Sequence, residues 1–298
     1  VGVRAAFPDI RQASGSRRYG NLTYAVSSVI GRGSCRPPRA NAIRYVSSAP
    51  RVHSMSEIAL RFSGVAKNYG RAGVLHDISF EVARGEFFGL VGVNGAGKTT
   101  LLKCMLDFCN RDGGSIEIFD TPHRLTAARR RLAFLPERFN PPYYLTGEDF
   151  IKYVLEMQAT GYDRVAAERM LHALDLDLAA LTLPVRAYSK GMTQKLGLAA
   201  CFLSGKDLYV LDEPTSGLDP KARALLKSHL RELKQRSRTV FFTSHALADV
   251  AEVCDRMAVL HAGRLRFTGT PAALCRQFAT GDLERAFMHC IEAVPPPA

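Results

Sequence analysis

Apolar residues alternate with polar ones from Ser56 onward, at Ile58, Leu60 and Phe62, until a turn at Tyr69-Gly70. A period of two is that of a half-buried strand, because successive side chains point to opposite faces. A second strand is predicted around Leu75–Val82, and a turn at Gly85 leads into Phe87-Phe88-Gly89-Leu90-Val91. That run has no polar face, so it predicts a strand buried on both sides. Two short strands with tight turns predict a small antiparallel sheet laid against the core. Further on, Leu101-Leu102-Lys103-Cys104-Met105-Leu106 reads as a helix with an apolar face.

Asp112-Gly113-Gly114 turns into a strand at Ser115–Phe119, a helix is expected from Thr121-Pro122 through Arg131, and a strand at Leu132–Leu135 ends in Pro136-Glu137. After the aromatic loop Phe139–Tyr144 the period becomes helical, at Glu148–Thr160, Asp163–Leu174 and Lys190–Leu203. Leu208–Asp212 and Thr239–Thr243 return to strand character, closing on Asp212-Glu213-Pro214 and Ser244-His245. This order predicts an α/β protein whose sheet is interrupted by a helical insert at about residues 140–204.

The 298 residues, 47% of them hydrophobic, suffice for a sizeable core. The longest apolar runs, such as Gly197-Leu198-Ala199-Ala200-Cys201-Phe202-Leu203, fall far short of the ~20 residues a spanning helix needs. Seven scattered Cys without a C-x-x-C pair argue against a zinc site and read as reduced thiols in a cytosolic protein. The net charge of +12 suggests nucleic acid until it is located. Residues 1–55 hold nine Arg, no Lys and one acid, Asp9; without them the balance is +4. That basic leader is rich in Ser, Gly and Pro and lacks a sustained period, so it is expected to be disordered. Three origins stand for it: an over-extended start ahead of Met55, a real disordered arm, or an organelle transit peptide.

Between the strand at 87–91 and the helix after it lies Gly92-Val93-Asn94-Gly95-Ala96-Gly97-Lys98-Thr99-Thr100, a G-x-x-x-x-G-K-T phosphate loop. Its glycines allow φ > 0 and close backbone approach, so N–H groups can turn inward around an anion. The helix start adds its own unpaired N–H groups. Asn94, Gly95, Ala96, Gly97, Lys98, Thr99 and Thr100 are the candidate nucleotide-binding residues. Lys98 would reach the β- and γ-phosphates and the Thr99 hydroxyl would ligate Mg²⁺. Carboxylates closing a central strand stand where open α/β sheets bind ligands. Asp212 would hold Mg²⁺ through its water shell, and Glu213 would deprotonate the water attacking the γ-phosphate. His245 reads either as a γ-phosphate contact or as a solvent-facing strand end. Tyr69, ahead of a glycine turn, reads either as a stacking platform for adenine or as half-buried packing.

Taken in order, these elements resemble the nucleotide-binding subunit of an ABC transporter over about residues 57–283. The resemblance implies a P-loop NTPase (RecA-like) core at 56–285, with residues 286–298 as a short C-terminal tail. It implies that Tyr69 stacks adenine, that Ser216-Gly217-Leu218-Asp219 is the D-loop, and that His245 is the switch histidine. Tyr188-Ser189-Lys190-Gly191-Met192-Thr193-Gln194 stands where the family signature, usually Leu-Ser-Gly-Gly-Gln, is expected. Lys190 replaces one glycine, and Glu137 stands in place of the usual Gln on the metal side of the site. Both variants look like those of single-cassette exporters. The family relation further implies ATP and Mg²⁺ as ligands, and a homodimer in which Ser189 and Gly191 contact ATP held by the opposite subunit. It also implies a separately encoded transmembrane permease, on whose cytoplasmic face the chain would sit, and no nucleic-acid partner. The rival class is a soluble ABC-type ATPase acting on ribosomes or DNA. The single cassette and the lack of heptads between 99 and 207 argue against it.

Two further expectations follow. Some of Phe139, Tyr143, Tyr144, Phe150 and Tyr153 would line a groove for a short helix of the membrane subunit, the alternative being that they pack the insert onto the core. Deleting residues 1–54, which supply no motif, is expected to leave ATPase activity and melting temperature unchanged. A fall in melting temperature on truncation would show that the leader packs on the body.

Overall fold

The computed structural model describes residues 57–293, so the expectations for residues 1–55 lie outside the described residues. In chain order, β1 (Ile58–Tyr69) and β2 (Ala72–Ala83) form a long hairpin, and β3 (Phe87–Val91) leads through the phosphate loop into α1 (Lys98–Met105). β4 (Gly113–Ile118), the two-residue β5 (Thr121–Pro122), the single turn α2 (Thr126–Arg129) and β6 (Leu132–Leu135) follow. The insert is α3 (Gly147–Met157), α4 (Arg164–Ala173) and α5 (Lys190–Leu203). Then come β7 (Leu208–Asp212), α6 (Pro220–Gln235), β8 (Thr239–Ser244) and α7 (Leu247–Val253). The hairpin of β9 (Arg256–His261) and β10 (Arg264–Gly269) precedes α8 (Pro271–Gln277) and α9 (Leu283–Glu292).

β2, β1, β4 and β5 make an antiparallel sheet in that order. A six-stranded sheet runs β10-β9-β3-β8-β7-β6, parallel throughout except for β10. Its central strands are apolar on both faces because each face has its own core. Phe88, Leu90, Val210 and Phe241 point to one cluster, with β1, β2 and α1. Phe87, Val91, Tyr209, Leu211 and Phe242 point to the other, under the remaining helices. A stack of rings fastens the two sheets together: Phe62 on Phe80 at 4.5 Å, then Phe80 on Phe88 at 5.3 Å. Fully burying each such ring contributes about 1.5–3 kcal/mol. Side-chain caps set the helix starts. Thr146 accepts from the Asp149 N–H, Asp163 from Val165 and Ala166, Ser189 from Met192, and Asp219 from Ala222.

Three expectations need correction. The helix from Thr121-Pro122 through Arg131 is a single turn at 126–129. Its first residues instead pair with β4, Thr121 opposite Ile118 and Pro122 opposite Glu117, and the His123 N–H donates to the Ile116 carbonyl. Buried His123, pinned there, keeps the start of the segment out of the helix. Residues 286–293 are not a tail. They lie in α9 and the residue after it, and Ala286, Phe287 and Cys290 are buried against the sheet side of the molecule at helical spacing. Phe150 is not a surface ring: it is 4% exposed and packs edge-on against Phe139 at 5.4 Å.

Candidate functional site

Register places the site. Val91 of β3 pairs with Ser244 of β8, Thr243 of β8 with Asp212 of β7, and Leu211 of β7 with Leu135 of β6. Four parallel strands therefore end at one level, and the loops that leave them converge on a cavity of about 430 Å³. The residues from Val93 to Thr100 line it together with Glu137, Asp212, Glu213, Ser216 and His245. This is the carboxyl edge of an open sheet at a reversal of strand order, where such folds take ligands.

The loop backbone explains its glycines. Gly95 has φ +80° and Gly97 φ +111°, a left-handed conformation that side chains oppose. At Gly92 a Cβ would sit 2.3 Å from the Leu260 carbonyl oxygen, so β9 closes off any larger residue. α1 opens at Lys98 straight after Gly97, with no side-chain cap on its first N–H groups. These donors are left for an anion.

Lys98 is buried, and its Nζ donates to the Gly92 carbonyl at 2.5 Å. Burial lowers its pKa, while the carboxylates of Glu213, Asp212 and Glu137 pull it back up. Glu213 Oε1 lies 3.8 Å from Nζ. Asp212 is 3% exposed and accepts a 2.6 Å hydrogen bond from the Thr243 hydroxyl. Burial raises its pKa and the Thr243 bond opposes the rise, while Glu137 and Glu213 add to it. Glu213 itself has φ +50°, held there by its N–H donating to Thr243 Oγ1 at 3.1 Å and to the Thr243 carbonyl at 3.3 Å. A non-glycine residue in this region costs of order 1–3 kcal/mol and persists where the surroundings enforce it. The turn aims the carboxylate back over the loop. Its Oε2 lies 2.8 Å from His245 Nδ1 and accepts from the His245 backbone N–H at 3.4 Å.

Thr243 thus orients both acids, a role that strand periodicity does not reveal. Arg138, Val74 and Ser216 also line the cavity. Arg138 carried one available signal, its place directly after Glu137. Tyr69 does not line the cavity; it is 49% exposed at the end of β1, with its hydroxyl on the α1 side. Ser189 and Gly191 are also apart from this phosphate loop, at the start of α5. α5 still reaches the chain just past β7, through buried Gln194 Nε2 donating to the Pro214 carbonyl at 3.3 Å. The Lys190 stem lies against Gly217. Among the described residues no cluster of three His, Cys, Asp or Glu could cage an ion. Mg²⁺ at a phosphate site needs only one or two protein oxygens, completed by waters and phosphates. The exposed Thr99 hydroxyl and buried Asp212 fit that requirement as hard oxygen donors.

A left-handed glycine loop, a buried lysine and strand-end acids define a P-loop nucleotide site. Residues 75–216 match the family described as ABC transporter. The chain is 37% identical over 226 residues to the Nod factor export ATP-binding protein I of Bradyrhizobium diazoefficiens, spanning 74% of this chain and 73% of that protein. The solved structure of an ATP-binding subunit of an ABC transporter is similar with a TM-score of 0.71 and 31% identity, over 78% of this chain and 99% of that one. A dimeric ATP-binding cassette in a post-hydrolysis state, bound to ADP and phosphate, shares the fold with a TM-score of 0.65 and 20% identity, over 71% of this chain and 98% of that one. The chain belongs to the ABC transporter family, as its ATP-hydrolysing subunit. No helix among the described residues is long and apolar enough to cross a membrane.

Proposed function

We propose that this chain powers export through a separate membrane permease, closing around ATP as a homodimer and opening after hydrolysis. The observation that carries the motor reading is the linked set Lys98, Asp212, Thr243, Glu213 and His245, built at the meeting point of four strand ends. Export is supported by likeness to the Nod factor export proteins. In this reading the cassette is residues 57–293, with the insert at about 140–204 presenting α5 to a second copy.

In turnover the loop N–H groups and Lys98 hold the β- and γ-phosphates. Glu213 Oε accepts a proton from the water that attacks the γ-phosphorus, and His245 Nδ1–H steadies the carboxylate. Thr243 fixes the plane of Asp212 and the turn at Glu213, so neither acid has to reorganise during the reaction. Thr99 and Asp212 would hold Mg²⁺, with Glu137 near its water shell; the ion would neutralise charge on the phosphate oxygens. Tyr69 stacks adenine at the rim. Ser189 and Gly191 contact ATP held by the other copy.

The permease contact lies on the far wall of the same site. An apolar hollow of about 360 Å³ is lined by Leu102, Leu106, Phe108, Phe134 and Pro136, and it shares Thr99, Glu137, Arg138 and Asp212 with the nucleotide side. Phe108 and Tyr144 are each 68% exposed, and Tyr143 is 67% exposed. Phe108 at this hollow, and Tyr143 and Tyr144 on the loop before α3, present exposed faces, unlike Phe150, to which an apolar helix of the membrane subunit could bind. Tyr144→Ala and Phe108→Ala should weaken co-purification with a co-expressed permease while leaving the isolated chain's ATPase nearly intact. Phe150→Ala should instead destabilise the fold by about 3–5 kcal/mol. Full permease binding by both surface variants would move the contact elsewhere.

A further inference from the structure

Beneath Tyr69, two thiols lie almost in contact. Cys104 Sγ, in the last turns of α1, is 3.5 Å from Cys109 Sγ in the loop that follows the helix. Cys104 is fully buried and Cys109 is partly exposed. The Tyr69 hydroxyl donates to Cys109 Sγ at 3.8 Å, and Lys67 Nζ lies 5.1 Å from the centre of the Tyr69 ring. Lys67 in turn pairs with Asp112 at 3.3 Å. The thiol pair therefore sits at the foot of the exposed ring, joined to it by one hydrogen bond. Neither thiol has a part in phosphate binding or hydrolysis.

We propose that Cys104 and Cys109 form an oxidation site for peroxides, and that closing their disulfide loosens the Tyr69 platform and weakens ATP binding. The second half rests on the proposed stacking role of Tyr69. The chemistry balances with peroxide alone. The Cys109 thiolate attacks one peroxide oxygen, the O–O bond breaks, and the hydroxide released leaves as water with the thiol proton. The Cys104 sulfur then attacks the sulfur of the resulting sulfenic acid. The S–O bond breaks, and the second water carries away the Cys104 proton. Two thiols are oxidised to one disulfide, and one peroxide is reduced to two waters. Burial pushes the Cys104 thiol up to about 12, which leaves first attack to the more accessible Cys109. A disulfide requires the sulfurs to approach to about 2.05 Å, so they close by roughly 1.5 Å. This draws Cys109 away from the Tyr69 hydroxyl. Losing one neutral hydrogen bond that positions the ring corresponds to a roughly 2–10-fold fall in affinity.

The sequence provides a direct assay. Trypsin cuts after Lys103 and Arg111, so both thiols fall in the single peptide Cys104–Arg111. After treating the full chain with hydrogen peroxide, this peptide should be lighter by two hydrogens, and dithiothreitol should restore its mass. In parallel, affinity for a fluorescent ATP analogue should fall on oxidation and recover on reduction. Cys109→Ser, checked for folding by thermal scan, should lose both responses. A peptide that keeps free thiols or gains only oxygens overturns the site. A disulfide without loss of affinity overturns the coupling whenever Tyr69→Ala in reduced protein does weaken ATP binding. If Tyr69→Ala leaves affinity unchanged while the disulfide forms, the stacking reading fails and the oxidation site stands.

Discussion

Glu213→Gln should bind ATP normally and hydrolyse it at least ~10²-fold more slowly, whereas Lys98→Ala should lose productive binding altogether. The two variants separate the functions of groups only 3.8 Å apart. Glutamine keeps the shape of glutamate and can still meet His245, so the left-handed turn enforced by Thr243 survives. It cannot take a proton from water, and that loss falls on the chemical step alone. Lys98 is different because it is the buried cation among Asp212, Glu213 and Glu137. Removing it leaves three carboxylates facing a triphosphate without the compensating charge, and like charges disfavour the bound state. Phosphate release measured beside equilibrium nucleotide binding tells the two apart. Near-normal hydrolysis by Glu213→Gln would pass the base role to His245 or Glu137. Normal ATP affinity in Lys98→Ala would mean that the loop N–H groups alone hold the phosphates.

How the site was legible differs from residue to residue. The phosphate loop could be read because its requirements are local: glycines at positions of positive φ, then a helix start. Asp212 and Glu213 could be read because an acidic pair at the end of an apolar strand has no use in a core. Thr243 could not. It sits in an apolar strand 30 residues from Glu213, and only the pairing of β7 with β8 brings its hydroxyl to both acids. The segment at 121–131 differs for a local reason: a tight turn folds Thr121 and Pro122 back onto β4, and that short pairing takes precedence over the helix signals that follow it. An aromatic-rich stretch does not itself distinguish a ring turned inward, such as Phe150, from one turned outward, such as Tyr144. Beyond His245 the chain carries no binding motif, so nothing in the pattern of site residues points to the β9–β10 hairpin or to α9. They matter nonetheless, since Leu260 of β9 is the wall that requires glycine at position 92.

Assembly gives the other large expected effect. Purified Glu213→Gln protein should run as a dimer with ATP and Mg²⁺ and as a monomer with ADP, because only the γ-phosphate would be shared between copies. In the proposed dimer the surface offered for that sharing would be the start of α5. Ser189 is exposed, caps the helix by accepting from the Met192 N–H, and precedes Lys190 and Gly191. Gly191 keeps this end low against the loop after β7, where an added Cβ would lie 3.4 Å from the Gly217 carbonyl oxygen. Gln194 links the same helix to Pro214, directly after Glu213. Contact with a second copy's phosphate would therefore be felt at Glu213 through one hydrogen bond and one turn of backbone. Adding Ser189→Arg to the Gln variant should abolish the ATP-dependent dimer by placing a long cation in the interface. Loss of the cap alone costs only about 1 kcal/mol of helix stability, so Ser189→Ala serves as the control and should retain the fold. Size-exclusion chromatography with light scattering reads the outcome. A monomer under all nucleotide conditions, or a dimer that survives Ser189→Arg, would show that ATP is not held between two copies in this way.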